Sequence, residues 1–367
     1  MSIASSPIES TIVARLFRSI AFLAASVVAQ ASAQNFPPPR PPAPAPTPSI
    51  VYRAHNPEAI EDFTTNPQLV RRMTNSLILA VTQQPDLASA WRSLVKPNDR
   101  IGIKISAAGG ELFTTHREIV NAIVDGLVAA GHARQDIIVW DKSLGGIKEA
   151  GYTGGEGYQL RSIPPRDGYD PKATISAPFL GNLIWGDFEY VGNRGEMPLL
   201  SETENTSSIS HLSKIVANDV TKIINLPVLS DNTRNGLAGC LYNVTIPNID
   251  NWRRFGVPPD FGASSIPEIY ADPHIGQKVV LNLMDGLRAQ YAGGPASQPG
   301  YSFPFATLYA SKDPVAIDAI ALRQLEEWRK KRKVPPIQRL GAHVQVAEEM
   351  GLGNANLKHI EIRDVGP

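Results

Sequence analysis

The sequence predicts an α/β protein whose mostly parallel sheet is flanked by helices, and residues 98–143 carry this prediction. The alternation IGIKIS at 101–106 has the period of two that is typical of a strand. Apolar residues then recur at four-residue spacing over 119–128, as in a helix that packs on a sheet. The apolar run IIVW at 137–140 follows. The segment is therefore predicted to be a strand, a helix and a second parallel strand, joined by a right-handed crossover.

The other elements are predicted from the same patterns. The expected strands lie at 49–54, 222–226, 278–284, 306–310 and 357–362, and the expected helices lie within 66–96 and at 236–244, 314–331 and 342–350. Residues 151–208 are rich in glycine, proline and polar residues, with one hairpin expected over 183–191. They are predicted to form an irregular insertion or lid over the sheet, and not a separate domain.

Residues 1–33 have the features of a Sec-type signal peptide. Arg15 and Arg18 precede an apolar run at 20–28, and the small residues at 31–33 form a cleavage pattern, with cleavage expected after Ala33. The apolar run is shorter than the roughly 20 residues that a membrane-spanning helix needs. We therefore expect a periplasmic or secreted protein without a membrane span. An ordinary N-terminal helix is the alternative.

Composition narrows the possible partners and cofactors. Residues 34–48 form a proline-rich linker of the extended kind, so the predicted α/β domain is 49–367. Lys+Arg and Asp+Glu both total 35, and this balance does not favour nucleic acid as a partner. Cys240 is the only cysteine, which excludes an intramolecular disulfide and a cysteine-ligated zinc or iron–sulfur site within one chain.

Several predicted strands end at an acidic residue. In an open parallel sheet, ligands bind outside the carboxyl ends of the strands, so we expect Asp141, Asp231 and Asp285 to surround one cleft. Carboxylate oxygens are the ligands that Mg²⁺ and Ca²⁺ prefer, which makes these three residues candidate metal ligands. The alternative for each aspartate is a turn residue or the N-cap of the next helix.

Lys104 lies within an isoleucine-rich strand, where an unpaired lysine is costly to bury. Either its stem reaches the surface or its ammonium faces an anion, and Asp141 on a neighbouring strand is the expected partner. Lys104 and Asp141 are therefore candidate catalytic residues, with Lys104 holding an anionic group or stabilising developing charge. Asn232, Asn243 and Asp318 are candidate substrate-binding residues, although Asp318 could equally point to solvent.

The start of the predicted helix, 109–116 (GGELFTTH), allows two interpretations. Its free N–H groups could bind an anion, or Thr115 could be a plain N-cap, which the pattern favours. The seven histidines are scattered without an HxH or HExxH pair, so the sequence gives no support for a zinc hydrolase.

Taken together, these segments resemble the bacterial and archaeal family known as domain of unknown function 362. Six segments in one order carry the resemblance: IGIKIS at 101–106, IIVWDKS at 137–143, IINLPVLSDN at 223–232, AGCLYNV at 238–244, LMDGLRAQYAGGP at 283–295 and SKDPVAIDAIAL at 311–322. The resemblance implies the α/β fold and the location of a site. It implies no particular reaction, because the family has no settled general activity. This chain resembles a secreted member that lacks the ferredoxin-like cysteine module of many relatives.

The functional hypothesis is an exported enzyme with a polar, acidic cleft at the strand ends, acting on a small polar molecule. A divalent metal is the candidate cofactor, and no iron–sulfur cluster is expected. The alternative is a non-catalytic periplasmic ligand-binding or maturation protein that uses the same cleft. A third hypothesis, a structural partner in an envelope assembly, rests only on the proline-rich linker.

Overall fold

The protein is known from a computed structural model that describes residues 47–165, 167–182, 206–337 and 340–366. The strands within these ranges are β1 (Ser49–His55), β2 (Ile60–Glu61), β3 (Thr64–Thr65), β4 (Ile101–Ile105), β5 (Ile138–Asp141), β6 (Gln159–Ser162), β7 (Tyr169–Asn182), β8 (Thr206–Ser213), β9 (Lys222–Leu226), β10 (Val228–Asn232), β11 (Gly236–Leu237), β12 (Val279–Gln290), β13 (Ser302–Ser311) and β14 (Ile360–Asp364).

The main sheet is mixed but mostly parallel, which confirms the predicted fold class. Its order is β14-β1-β13-β12-β9-β4-β5-β6, with β10 beside the second half of β12 and β11 beside β10. The strands β12, β9, β4, β5 and β6 run parallel to one another, whereas β13 is antiparallel to both of its neighbours. The carboxyl ends of the parallel strands therefore meet at one edge, which we call the carboxyl edge.

Helices cover both faces of the sheet. They are α1 (Pro67–Thr82), α2 (Leu87–Leu94), α3 (Arg117–Ala129), α4 (Leu144–Glu149), α5 (Cys240–Thr245), α6 (Ser265–Ala271), α7 (Pro314–Arg332) and α8 (His343–Glu349). Helices α1 to α3 share one apolar core with the sheet, and helices α5 to α8 share a second core on the opposite face. Gly126 of α3 lets the helix approach α2, because a Cβ there would lie 2.2 Å from the indole nitrogen of Trp91.

The unit predicted over 98–143 forms as expected, as β4, α3 and the parallel strand β5. Elsewhere, strand pairing moves the element boundaries. The helix expected at 236–244 begins only at Cys240, because Gly236–Leu237 pairs with β10 as β11. The strand expected to end at 284 continues to Gln290, where its second half pairs with β10. Part of the expected insertion is β6, which belongs to the main sheet.

Three sequence predictions concern residues outside the described ranges. These are the signal peptide over 1–33, most of the linker over 34–48 and the hairpin over 183–191. Among the helices that the structure does describe, none combines the length and apolar character needed to cross a membrane.

Candidate functional site

A row of polar side chains crosses the buried centre of the sheet. The strand register aligns Lys104 of β4 with Asn225 of β9, Asn225 with Asn282 of β12, and Asn282 with Ser311 of β13. Aligned residues on neighbouring strands point to the same face, which here is the face covered by α5. These four residues are at most 3% exposed, so each needs hydrogen bonds to offset the loss of water.

Lys104 lies at the end of this row and uses all of its donors inside the protein. Its Nζ donates to Asp141 Oδ1 at 2.6 Å, to the carbonyl of Ile105 at 2.7 Å and to Asn243 Oδ1 at 3.3 Å. An ammonium has three N–H donors, and its side chain here is 0% exposed. Burial lowers the pKa of Lys104, and the charge of Asp141 acts against that shift. The ammonium therefore holds Asp141 in place and does not face solvent.

Asp141, the last residue of β5, is the partly open member of the pair. Its Oδ1 accepts from Lys104 Nζ and from the backbone N–H of Lys142, and its Oδ2 accepts from the backbone N–H of Ala107 at 2.6 Å. A carboxylate has about four acceptor sites. Because the side chain is 10% exposed, Asp141 keeps acceptor capacity that a ligand could use.

Two predicted asparagines connect to the Lys104–Asp141 pair. Asn243 of α5 accepts from Lys104, and its amide donates to Asn225 Oδ1 at 2.9 Å. Asn232, at the end of β10, accepts from the backbone N–H of Arg234 and contacts the Tyr242 hydroxyl. Burial raises the pKa of Tyr242, and the charge of Asp141 adds to the rise. Both asparagines thus shape the surroundings of Asp141.

Basic and aromatic side chains lie beside this centre. Around the Trp252 ring centroid, Arg253 Cζ lies at 4.9 Å, Lys142 Nζ at 5.2 Å and Arg234 Cζ at 5.6 Å, which are cation–π distances. Lys142 Nζ also donates to the carbonyl of Ile249 at 3.0 Å. Within the described ranges, the surroundings of Asp141 are therefore basic and aromatic, in contrast to the acidic cleft expected from the sequence.

The structure does not bring the three predicted metal ligands together. Asp231 Oδ1 accepts from the backbone N–H of Gly294 at 2.9 Å, and Arg329 Nη1 lies 3.6 Å from its other oxygen. Burial raises the pKa of Asp231. In the part of the chain that is described, no three His, Cys, Asp or Glu side chains are grouped so that they could hold a metal ion. Asp141, Asp231 and Asp285 are therefore held by different partners in three separate places.

Asp318 of α7 points neither into the cleft nor to solvent. It is 0% exposed and accepts from the backbone N–H groups of Cys240 at 2.6 Å and Leu241 at 2.9 Å, so it caps the start of α5. Burial raises the pKa of Asp318 to about 7, although the two backbone donors favour its ionised form. This placement corrects the expectation that Asp318 contacts a substrate.

His116 is a site residue that the sequence patterns did not select. It is the N-cap residue of α3, a position expected for Thr115, whose hydroxyl instead donates to the carbonyl of Leu226. The backbone N–H of His116 donates to Asp285 Oδ2 at 2.8 Å, and its ring Nδ1 lies 2.7 Å from the same oxygen. The sequence signals for this pairing were a histidine at a predicted helix start and an aspartate at the predicted end of a strand.

One comparison with known proteins gives a family, and none gives an activity. A protein-family model described as a domain of unknown function (DUF362) matches residues 94–323, which is more than half of the chain. No curated protein matches the sequence. A crystal structure of a Thermotoga maritima protein from a structural genomics programme is 11% identical, with a TM-score of 0.39. The match covers 78% of this chain and 59% of that protein's length.

Proposed function

We propose that this protein, which belongs to the domain of unknown function 362 (DUF362) family, binds a small polar molecule at the carboxyl edge and acts on it there. One observation carries the proposal: Asp141 is fixed by three donors, and its side chain is still 10% exposed. The carboxyl edge of an open parallel sheet is also where such folds bind ligands. The signal-peptide pattern at 1–33 supports a periplasmic or secreted location.

In this proposal, Asp141 touches the ligand and Lys104 is a positioning residue. Lys104 cannot contact a ligand without giving up one of its three internal acceptors, because its side chain is fully buried. Its ammonium lies 2.6 Å from Oδ1 and is the counter-charge of the Asp141 carboxylate at a site that is mostly closed to water. Asn243 completes the arrangement by accepting the third hydrogen bond of the ammonium.

The surroundings of Asp141 favour one class of ligand. Asp141 requires a hydrogen-bond donor, such as a hydroxyl or an ammonium group. The basic side chains around Trp252 favour a negative group on the same molecule. A small molecule that carries both kinds of group fits the two features together. A non-catalytic binding protein would use the same contacts, so turnover of the bound molecule distinguishes the two functions.

Native mass spectrometry combined with elemental analysis tests this proposal. The exported chain, purified without chelators, is expected to carry a stoichiometric small-molecule adduct. Asp141→Asn should lose the adduct, because the substitution removes the charge that holds the donor group. Asp364→Asn is the matched control, since Asp364 is 66% exposed and pairs with Arg53 at the surface.

Each outcome has a defined meaning. An adduct that Asp141→Asn retains would contradict the assignment of Asp141 as the ligand contact. A stoichiometric Mg²⁺ or Ca²⁺ lost in the variant would identify a divalent cation as the occupant. A bare polypeptide mass in the wild-type protein would contradict a tightly held ligand.

A further inference from the structure

We infer that His116 and Asp285 form a second reactive centre, in which Nε2 of His116 accepts a proton from an O–H group of a small anionic molecule or of water. This centre lies at the start of α3, away from the α5 face that holds Lys104. The inference does not depend on the ligand proposed for Asp141, because its evidence and its test concern other atoms.

The hydrogen bonds around Asp285 determine the tautomer of His116. Asp285 is 1% exposed, and its Oδ2 accepts from the backbone N–H of His116 while its Oδ1 accepts from the backbone N–H of Leu287 at 3.0 Å. An ionised carboxylate can only accept hydrogen bonds, so the ring nitrogen 2.7 Å from Oδ2 carries a proton. The neutral imidazole therefore has its proton on Nδ1 and its lone pair on Nε2.

The Nε2 atom is open to a reacting molecule. The His116 side chain is 11% exposed, and within the described ranges Nε2 neither makes a hydrogen bond nor belongs to the buried polar atoms that lack a partner. A base oriented by a carboxylate through its other nitrogen is the arrangement that general-base catalysis requires. The dyad thus has the geometry of a proton acceptor and not only that of a helix cap.

Arg288 gives this centre a preference for anions. The residue is half-buried, and the charges of Asp285, Glu111 and Glu118 oppose the lowering of its pKa by burial. Its guanidinium donates to the carbonyls of Leu112 and Phe63, whereas no carboxylate in the described ranges lies within ion-pair distance of it. The guanidinium also lies over the Phe63 ring, 5.3 Å from its centroid, and its Nε is a buried donor without a hydrogen-bond partner in the described ranges. A half-buried cation with an unused donor favours a negatively charged molecule nearby.

The proposed step is a single proton transfer. The O–H bond of the substrate or water breaks, an Nε2–H bond forms, and the electron pair stays on oxygen, which becomes the nucleophile. The carboxylate of Asp285 stabilises the resulting imidazolium through the Nδ1–H bond. With an ester as probe, the water oxygen bonds to the acyl carbon, and the phenolate leaves with the electron pair of the ester C–O bond.

Hydrolysis of two chromogenic esters by the wild-type chain tests the inference. The probes are 4-nitrophenyl acetate and the anionic 4-acetoxy-3-nitrobenzoate, whose ring carboxylate cannot reach its own ester. His116→Gln keeps a donor for Asp285 but removes the base, and it should lower the protein-dependent rate by at least ~10-fold, since a general base contributes about 10²- to 10⁴-fold. The anionic ester should react faster than the neutral ester in the wild-type protein.

His274→Gln is the matched control. Its Nδ1 also contacts an aspartate, Asp272, at 2.8 Å, but the side chain is 44% exposed on the surface. An equal loss of rate in both variants, or an unchanged rate in His116→Gln, would overturn the dyad. Equal rates for the two esters would overturn the anionic substrate class.

The tautomer supplies a test that needs no substitution. Nitrogen-15 NMR of the wild-type imidazole should show protonated Nδ1 and unprotonated Nε2 for His116, and the opposite tautomer would overturn the inference. Asp285→Asn should change this tautomer signature, because an amide can donate as well as accept. An unchanged signature would show that Asp285 does not position the ring.

Discussion

Each of the two centres at the carboxyl edge pairs a basic side chain with an aspartate, but the buried member is the base in one centre and the acid in the other. In the Lys104–Asp141 pair, the base is fully buried with all donors used, and the acid is 10% exposed. In the His116–Asp285 pair, the acid is 1% exposed and the base is 11% exposed. We call the buried member of each pair the closed partner and the partly exposed member the open partner. The closed partner fixes the geometry of the pair, and the open partner contacts the solvent. The comparison teaches that burial, and not residue type, decides which member of an acid–base pair can meet a ligand, because aspartate is the open partner in one pair and the closed partner in the other.

The largest loss of unfolding free energy is expected when Lys104, the closed partner of Asp141, is replaced. Lys104→Met leaves the mostly buried Asp141 without its counter-charge, and breaking a buried pair costs about 3–5 kcal/mol of unfolding free energy. Urea unfolding measures this loss. Arg53→Met removes one partner of the exposed pair with Asp364, which should cost no more than about 1 kcal/mol. Similar losses in both variants would contradict the view that Lys104 is the closed partner.

Asp318 extends the comparison as a closed acid that has no basic side chain within ion-pair distance among the described residues. Burial raises its folded-state pKa to about 7 from an ordinary value of 3.8, so the folded protein binds the proton more tightly than the unfolded chain. The resulting stabilisation is complete below pH 3.8 and is lost as the pH rises to about 7, by an amount on the order of 4 kcal/mol. Asp318→Asn should remove this decline in urea unfolding measured between pH 4 and 8. An unchanged slope would contradict a raised pKa.

His343 is the converse, a closed base that is near the charge of Asp260 but has no carboxylate within ion-pair distance in the described ranges. It is 0% exposed, and neither ring nitrogen has a hydrogen-bond partner in the described ranges. Burial lowers the pKa of His343 from 6.5 to about 4. The unfolded chain therefore binds the extra proton, and stability falls as the pH drops from 6.5 towards 4, on the order of 3 kcal/mol. His343→Leu should abolish this acid-side loss in urea unfolding, and a loss of the same size in the variant would contradict the burial argument.

The smallest loss of stability is expected for substitutions in the His116–Asp285 pair. Asp285→Leu leaves the ring Nδ1 and the backbone N–H of His116 without their acceptor, at a cost of about 1–3 kcal/mol. His116→Gln should cost less, because glutamine keeps a donor and the lost ring is partly exposed. Thermal unfolding of both variants checks the order. The reverse order would show that His116, and not Asp285, is the member that fixes the geometry.

The parts of the fold and of the site that depend on local sequence patterns could be predicted from the sequence. The β4–α3–β5 unit follows from periodicity within 46 residues, and the pairing of Lys104 with Asp141 follows from neighbouring parallel strands. Contacts between distant segments were not predictable. His116 and Asp285 are 169 residues apart, and Asp318 caps a helix 78 residues before it.

The separation of the three candidate metal ligands has a related physical reason. An aspartate at a strand end shows which edge of the sheet it occupies, but its partners depend on packing across the sheet. Asp285 is held by the start of α3, whereas Asp231 is held by the segment that follows β12. The shared edge was therefore predictable, and the separation of the carboxylates was not.

The loop from β4 to α3 constrains how the chain can vary in length. It is fixed near its start by Ala107, which donates to Asp141, and at its end by Thr115 and His116, which bond to Leu226 and Asp285. Surface loops normally accept insertions. In this loop, an insertion beside either fixed end would pull one of the two centres out of position.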